Sequence, residues 1–147
     1  MLRLDPFDPE QEGAAFRARQ DGVGAVVSFI GVARGRSKEG GAITNLHLQH
    51  HPRLTVRSLE QIADDARARF AVDDVLVLHR AGDIAPGEPI VLAAAAARHR
   101  RAAFEAADYL MDRLKSDALF WKREDRSDGS EWIEPSDADA RDLGRWS

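Results

Sequence analysis

The chain has 147 residues, 44% hydrophobic and 31% charged, with 25 acidic against 21 basic side chains and a formal net charge of -4. That length fits a single domain spanning residues 1–147, and the composition supports a packed core rather than wholesale disorder. The acidic balance argues against a general attraction to nucleic acid or anionic membrane, and the absence of cysteine excludes disulfides, thiolate metal sites and a cysteine nucleophile.

In chain order, Leu2 to Leu4 reads as a short edge strand. Asp8 then stands as an N-cap ahead of Pro9, with Glu10 and Glu12 in the first turn of a helix running to about Arg19. After the Asp21-Gly22 turn, Gly24 to Ala33 is rich in β-branched and aromatic residues and predicts a buried strand. Arg34 to Gly41 has three basic residues, three glycines and no apolar side chain, the composition of an exposed loop. Ile43 to His50 predicts a strand whose alternation slips near Asn45. Leu59, Ile62, Ala63, Ala66 and Phe70 then recur at helical spacing.

Val72 to His79 predicts another strand, and Gly82-Asp83 with Pro86-Gly87 punctuates the link to Pro89–Ala97. The alanines there favour helix by propensity, but Pro-Ile-Val-Leu before them and the short length favour a closely packed strand. From Arg100 to Leu119 the stripe Phe104, Ala107, Met111, Leu114 and Ala118 predicts the best-defined helix. Phe120–Arg126 and Glu131–Glu134 flank a Ser-Asp-Gly-Ser turn and read as a hairpin, and residues 135–147 read as a loose polar tail. The order of elements predicts an α+β domain with a mixed, largely antiparallel sheet covered by helices.

The chemistry concentrates near the end of the chain. On a helical wheel with Phe104 at 0°, Lys115 falls at about 20°, beside the apolar stripe, where a lysine either snorkels or holds its ammonium in a partly desolvated cleft. Lys122 follows in Phe-Trp-Lys-Arg-Glu and alternates on a strand with Trp121 and Arg123. Aromatic walls with a few placed cations are the usual makeup of a small-molecule site, against the alternative of a solvated charge run. His99 and Arg100 stand at a helix start, where free backbone N–H groups favour phosphate or carboxylate, unless His99 only caps the helix and Arg100 faces water. His47, His50 and His51 lie at no familiar metal spacing, and no metal site is expected. The glycines match no nucleotide-binding pattern, and no Gly-x-Ser-x-Gly elbow is present.

Taken in order, GAVVSFIGVAR, His79-Arg80-x-Gly82 with Pro86-Gly87-Glu88, His99-Arg100 leading into AAFEAADYLMDRLK, and FWKRE followed by Trp132 resemble the catalytic subunit of molybdopterin synthase, from about Gly22 to Trp132. The resemblance implies an α/β-hammerhead fold and a sulfurtransferase that moves two sulfur atoms onto cyclic pyranopterin monophosphate to form the dithiolene of molybdopterin. It implies a small ubiquitin-like partner carrying sulfur as a C-terminal glycine thiocarboxylate, and a heterotetramer built on a dimer of this chain. Carried over by position, Lys115 and Lys122 are the catalytic candidates, and Arg34, His99, Arg100, Arg123 and Glu124 the substrate-binding ones. No cofactor is implied. A chain without cysteine cannot carry a persulfide, so imported sulfur fits it.

Val32 stands where the family often has a basic or polar residue and is not counted as a polar contact. The chain's first residues, MLRLDPFDPEQEG, lack the layout of a secretion signal, so the expected compartment is the cytoplasm. The competing reading is a non-catalytic module that binds a phosphorylated ligand or an acidic partner tail through the same cations. A metal-free ribonuclease using His99 and the lysines is disfavoured by the acidic charge and the lack of a second well-placed histidine.

Overall fold

A computed structural model describes residues 1–147. The elements are β1 (Leu2–Arg3), α1 (Pro9–Ala18), β2 (Ala25–Val32), β3 (Asn45–His50), α2 (Leu54–Arg69), β4 (Asp74–Arg80), β5 (Gly82–Ile84), β6 (Pro89–Ala97), α3 (Arg100–Ser116), β7 (Phe120–Arg126), β8 (Gly129–Ile133) and α4 (Asp137–Gly144). The α+β class holds, but the strands form two four-stranded sheets instead of one. The first runs β1-β4-β6-β2 and the second β5-β3-β7-β8. All pairings are antiparallel except β1 with β4.

The first sheet is covered on both faces, which explains the alanine run. Val91, Ala93 and Ala95 of β6 join Val75 and Val77 beneath α2 and α3, where Leu59, Ile62, Ala106, Leu110 and Leu114 close the larger core. Leu92, Ala94 and Ala96 face the other way and pack with Leu76, Leu78, Phe7 and Phe16 under α1. A strand buried on both sides reads as an unbroken apolar run, and small side chains let the covering helices approach. Asp8 caps α1 as expected, accepting from the Glu10 and Gln11 amides.

Four expectations are corrected, the first being β2, which is expected as a buried strand and is instead a sheet edge with no buried residue. The buried face of α3 is Ala103, Ala106, Ala107, Leu110 and Leu114, while Phe104, placed on the stripe from the sequence, is 53% exposed. β5, short and flanked by turn residues, stands where the sequence predicts only a link. Residues 135–147, expected as a loose tail, carry α4. Ser136 and Asp139 form a reciprocal capping box at its start. Beyond its end, Trp146 packs edge-on against Phe70 and Tyr109, and Trp146 Nε1 and Arg145 Nη2 both donate to the buried Asp112 carboxylate, at 2.7 and 2.5 Å. Replacing Asp112 by alanine leaves Trp146 Nε1 without an acceptor and Arg145 with Asp108 alone. The expected loss is about 1–3 kcal/mol, read as a lower denaturant midpoint at an unchanged m-value.

Candidate active site

The second sheet places the site. Period-two alternation sends Lys122, Glu124 and Arg126 of β7 to one face, with Leu46 and Leu48 of β3, and sends Trp121, Arg123 and Asp125 to the other. The inner face borders a cleft of about 350 Å³, within the range of small-molecule sites. Lys115 enters from the last turn of α3, Arg34 from the segment after β2, His79 from β4, and Ser136 and Asp139 from the start of α4.

Of the residues expected at the site, Lys115, Lys122, Arg34 and Glu124 line this cleft. Arg123 does not. Its guanidinium lies on the outer face, donating to Asp125 at 2.7 Å and stacking over Trp132. His99 and Arg100 also lie apart, in a separate basic depression with Gly24, Arg98 and Arg101 at the start of α3. His99 is the N-cap residue of α3 without a side-chain cap hydrogen bond, and Arg100 is exposed. The 35–41 loop, expected to be exposed, and the C-terminal segment, expected to be loose, both reach the cleft, through Arg36, Lys38 and Glu39 and through Pro135, Ser136 and Asp139. Val32 borders it as an apolar wall.

The charge layout favours an anion. Arg126 is engaged by Glu124 at 2.8 Å and Glu131 at 3.0 Å. Arg34, Lys38, Lys115 and Lys122 take part in no ion pair within the chain. Burial holds the Lys122 ammonium below the ordinary lysine range, and the Lys115 charge lowers it further. An anion between the two lysines relieves that repulsion. Because the folded-state value of Lys122 is depressed, its positive charge, and any anion affinity it supplies, is lost at a lower pH than for a free lysine.

Sequence reasoning missed His79 and Arg126 as cleft residues. Arg126 lies two and four residues beyond Glu124 and Lys122, so extending the alternation one step finds it. His79 was noted only within a motif; its position depends on the two sheets meeting, which no local pattern reports. The ring is 8% exposed and stacks on Phe120 with centroids 4.1 Å apart. Its Nδ1 lies 2.8 Å from the Arg80 carbonyl oxygen. Burial lowers its pKa to about 4, the Arg80 carbonyl opposing the shift while the charges of Lys115 and the N-terminus add to it. Keeping this imidazole neutral therefore costs stability progressively as pH falls from the ordinary histidine value towards 4.

Comparison with known proteins places this geometry in a family. Residues 2–117 match the family model described as MoaE protein. The molybdopterin synthase catalytic subunit of Caulobacter vibrioides is 50% identical over 145 residues, covering 99% of this chain and 95% of that one. Among solved structures, the molybdopterin biosynthesis MoaE protein of Burkholderia ambifaria superposes with a TM-score of 0.82 at 37% identity, covering 99% of this chain and 95% of that one. Molybdopterin synthase from Staphylococcus aureus superposes with a TM-score of 0.81 at 27% identity, over 90% and 94%. With the matches running through both sheets and the lysine-lined cleft, the chain belongs to the MoaE family of molybdopterin synthase catalytic subunits.

Proposed function

We propose that residues 1–147 act as one catalytic domain in which the Lys115–Lys122 cleft receives the thiocarboxylate tail of a small ubiquitin-like partner and the side chain of cyclic pyranopterin monophosphate. The observation that carries this reading is a pair of lysines without ion-pair partners sharing a small cleft in a chain without cysteine. The cations supply what an anionic sulfur donor and a phosphorylated acceptor need, and the sulfur itself must come from outside. Relatives named as a catalytic subunit imply a second subunit, and the family resemblance identifies it as the sulfur carrier.

Sulfur attacks an oxygen-bearing carbon of the pterin side chain: the carbon–sulfur bond forms as that carbon's carbon–oxygen bond breaks, the oxygen departing as phosphate ester oxygen or, once protonated, as water, and the sulfur is left as an acyl thioester. Water then cleaves the acyl–sulfur bond, returning the partner's carboxylate and freeing the thiol; two such rounds give the dithiolene. Lys115 activates or protonates the reacting group, and Lys122 stabilises the negative charge that develops. Arg34 and Glu124 border the substrate.

His99 and Arg100 enter this site from a second copy of the chain. β2 is an edge strand with β6 as its only neighbour, and it exposes Phe29 and Val32. Pairing it antiparallel with its twin about a two-fold axis sets Ala25 of one copy opposite Val32 of the other. Val32 and Arg34 border the cleft, while Gly24 and Arg98–Arg101 form the basic depression at the opposite end of the strand. The twin's His99 and Arg100 thereby come to the cleft mouth, where they suit a phosphate. Arg123, on the outer sheet face, is left as a rim contact for the partner subunit. Both substrates are charged and stay in the compartment where they are made, which we take to be the cytoplasm.

The test is reconstitution: dithiolene product requires this protein, thiocarboxylated partner and pterin precursor together. A non-catalytic binding module gives binding without product.

A further inference from the structure

The sequence His79-Arg80-x-Gly82 with Pro86-Gly87-Glu88 holds a charged residue that no step above uses. Arg80 is 3% exposed and follows Leu76 and Leu78 along β4, both of which pack in the apolar cluster under α1. An aliphatic side chain would continue that face, whereas a buried guanidinium is costly unless it is paired. Arg80 is paired only in part. Its Nη2 donates to the Asp83 carbonyl at 2.8 Å, and its Nη1 lies 3.7 Å from Glu88 Oε2, in ion-pair range but outside a hydrogen bond. Nε and Nη1 meet no hydrogen-bond acceptor, and Glu88 is the one acid within ion-pair distance.

The guanidinium holds the link between β5 and β6. Asp83 lies in β5 just before that link and Glu88 at its end, and the other Glu88 oxygen accepts from the Ala85 amide at 2.7 Å. The far side of the link is bound to the segment after β2. The Ala33 amide donates to the Glu88 carbonyl and the Gly87 amide to the Ala33 carbonyl, both at 2.9 Å, and a Cβ on Gly35 would stand 3.9 Å from Pro86 Cβ. Arg34 lies between these two contacts. Its backbone is gripped on both sides while its side chain borders the cleft.

We infer that Arg80 is a positioning residue for the substrate cleft: through Asp83 and Glu88 it locks the β5–β6 link against Ala33 and Gly35, and so fixes where Arg34 enters the cleft. The inference rests on the proposed substrate role of Arg34. Arginine suits the task because its planar fork reaches two acceptors at once. Arg80 itself does not border the cleft, so an effect of its loss on substrate has to pass through the link.

Native-state hydrogen exchange on the full chain reads the lock without turnover. In Arg80→Met the Ala33 and Gly87 amides should exchange roughly tenfold faster, the value of one charge-assisted hydrogen bond, while the amides of β6 stay within about twofold of wild type. Equal acceleration in β6 would assign Arg80 to general stability and overturn the inference. Arg80→Lys, which reaches the Asp83 carbonyl or Glu88 but not both, should fall between Arg80→Met and wild type. Glu88→Gln, at a partly exposed position, keeps an acceptor for the Ala85 amide but removes the charge opposite Arg80; it should show the same local pattern, and it carries the test if Arg80→Met does not fold. Exchange at Ala33 and Gly87 within about twofold of wild type in these variants overturns the lock.

Steady-state kinetics tie the lock to Arg34. Arg80→Met should raise KM for the pterin precursor roughly fivefold with kcat within about twofold of wild type, and should change an Arg34→Ala variant by no more than about twofold. Independent, multiplying effects of the two substitutions overturn the link to Arg34. A wild-type KM in Arg34→Ala instead refutes the substrate role of Arg34, and the exchange rates still decide the lock.

Discussion

Lys115→Ala is expected to lower dithiolene formation by roughly 10²-fold or more, the scale on which one positioned acid–base group acts, while partner affinity and thermal stability stay close to wild type. Lys115 is exposed, in the last turn of α3, outside the buried cluster that α3 contributes to the core. Losing a cation from a helix C-terminal turn removes only about 0.3–1 kcal/mol of dipole stabilisation at an exposed site. The helix itself is held by Ala106, Leu110 and Leu114, which the substitution does not touch. Near-normal turnover in the variant would remove Lys115 from the mechanism. A large loss of partner affinity would instead assign it to docking.

The second large effect is a recovery of activity. Lys115→Ala and Arg100→Ala are each expected to be inactive as homodimers. Co-expressed under two tags and purified as the mixed dimer, they should show about half of wild-type activity, because one of the two composite sites is then assembled from intact copies. If each site were built from a single chain, every site in the mixed dimer would carry one lesion, and activity would stay at the homodimer level. The outcome thus decides whether the basic depression at the start of α3 serves the cleft of the other copy. Phe29 and Val32, exposed in the single chain at 45% and 50%, should become protected from solvent in the dimer.

Much of this site can be read from the sequence because it lies on local patterns. Lys122 and Glu124 sit two apart on a strand, so one periodicity argument brings both to the same face, and the same argument already separates them from Arg123. Carrying Arg123 over with its motif ignored that alternation, and the structure follows the alternation. Lys115 is legible as a lysine beside an apolar stripe, of which Ala107 and Leu114 are buried as expected while Phe104 is exposed and Ala103, Ala106 and Leu110 are buried in addition. Small alanines mark the buried face because α3 lies close against β6, and a large aromatic at the margin can remain half in water.

The remainder depends on contacts between distant segments. His79 becomes a site residue only because β4 and β7 bring it against Phe120. The C-terminal segment looked loose because its composition is polar. Its order comes from a capping box and from Asp112, an acidic residue on a buried helix face whose partners lie 33 and 34 residues further along the chain. A buried acid on an otherwise apolar face was the available signal, since such a group needs partners. The separation of His99 and Arg100 from the lysines has a different origin. His99 and Arg100 open the 17-residue helix α3 and Lys115 stands in its last turn, so a rise of about 1.5 Å per residue sets them at opposite ends of it.

The central claim is that this cysteine-free chain takes both sulfur atoms of its product from a partner's thiocarboxylate at the Lys115–Lys122 cleft. The most direct measurement supplies partner labelled with sulfur-34 at the thiocarboxylate, unlabelled sulfide in the buffer and the pterin precursor, and weighs the product by mass spectrometry. The account predicts dithiolene with both sulfurs labelled, and none with Lys115→Ala. Unlabelled product, or full labelling at wild-type rate in the Lys115 variant, would contradict it.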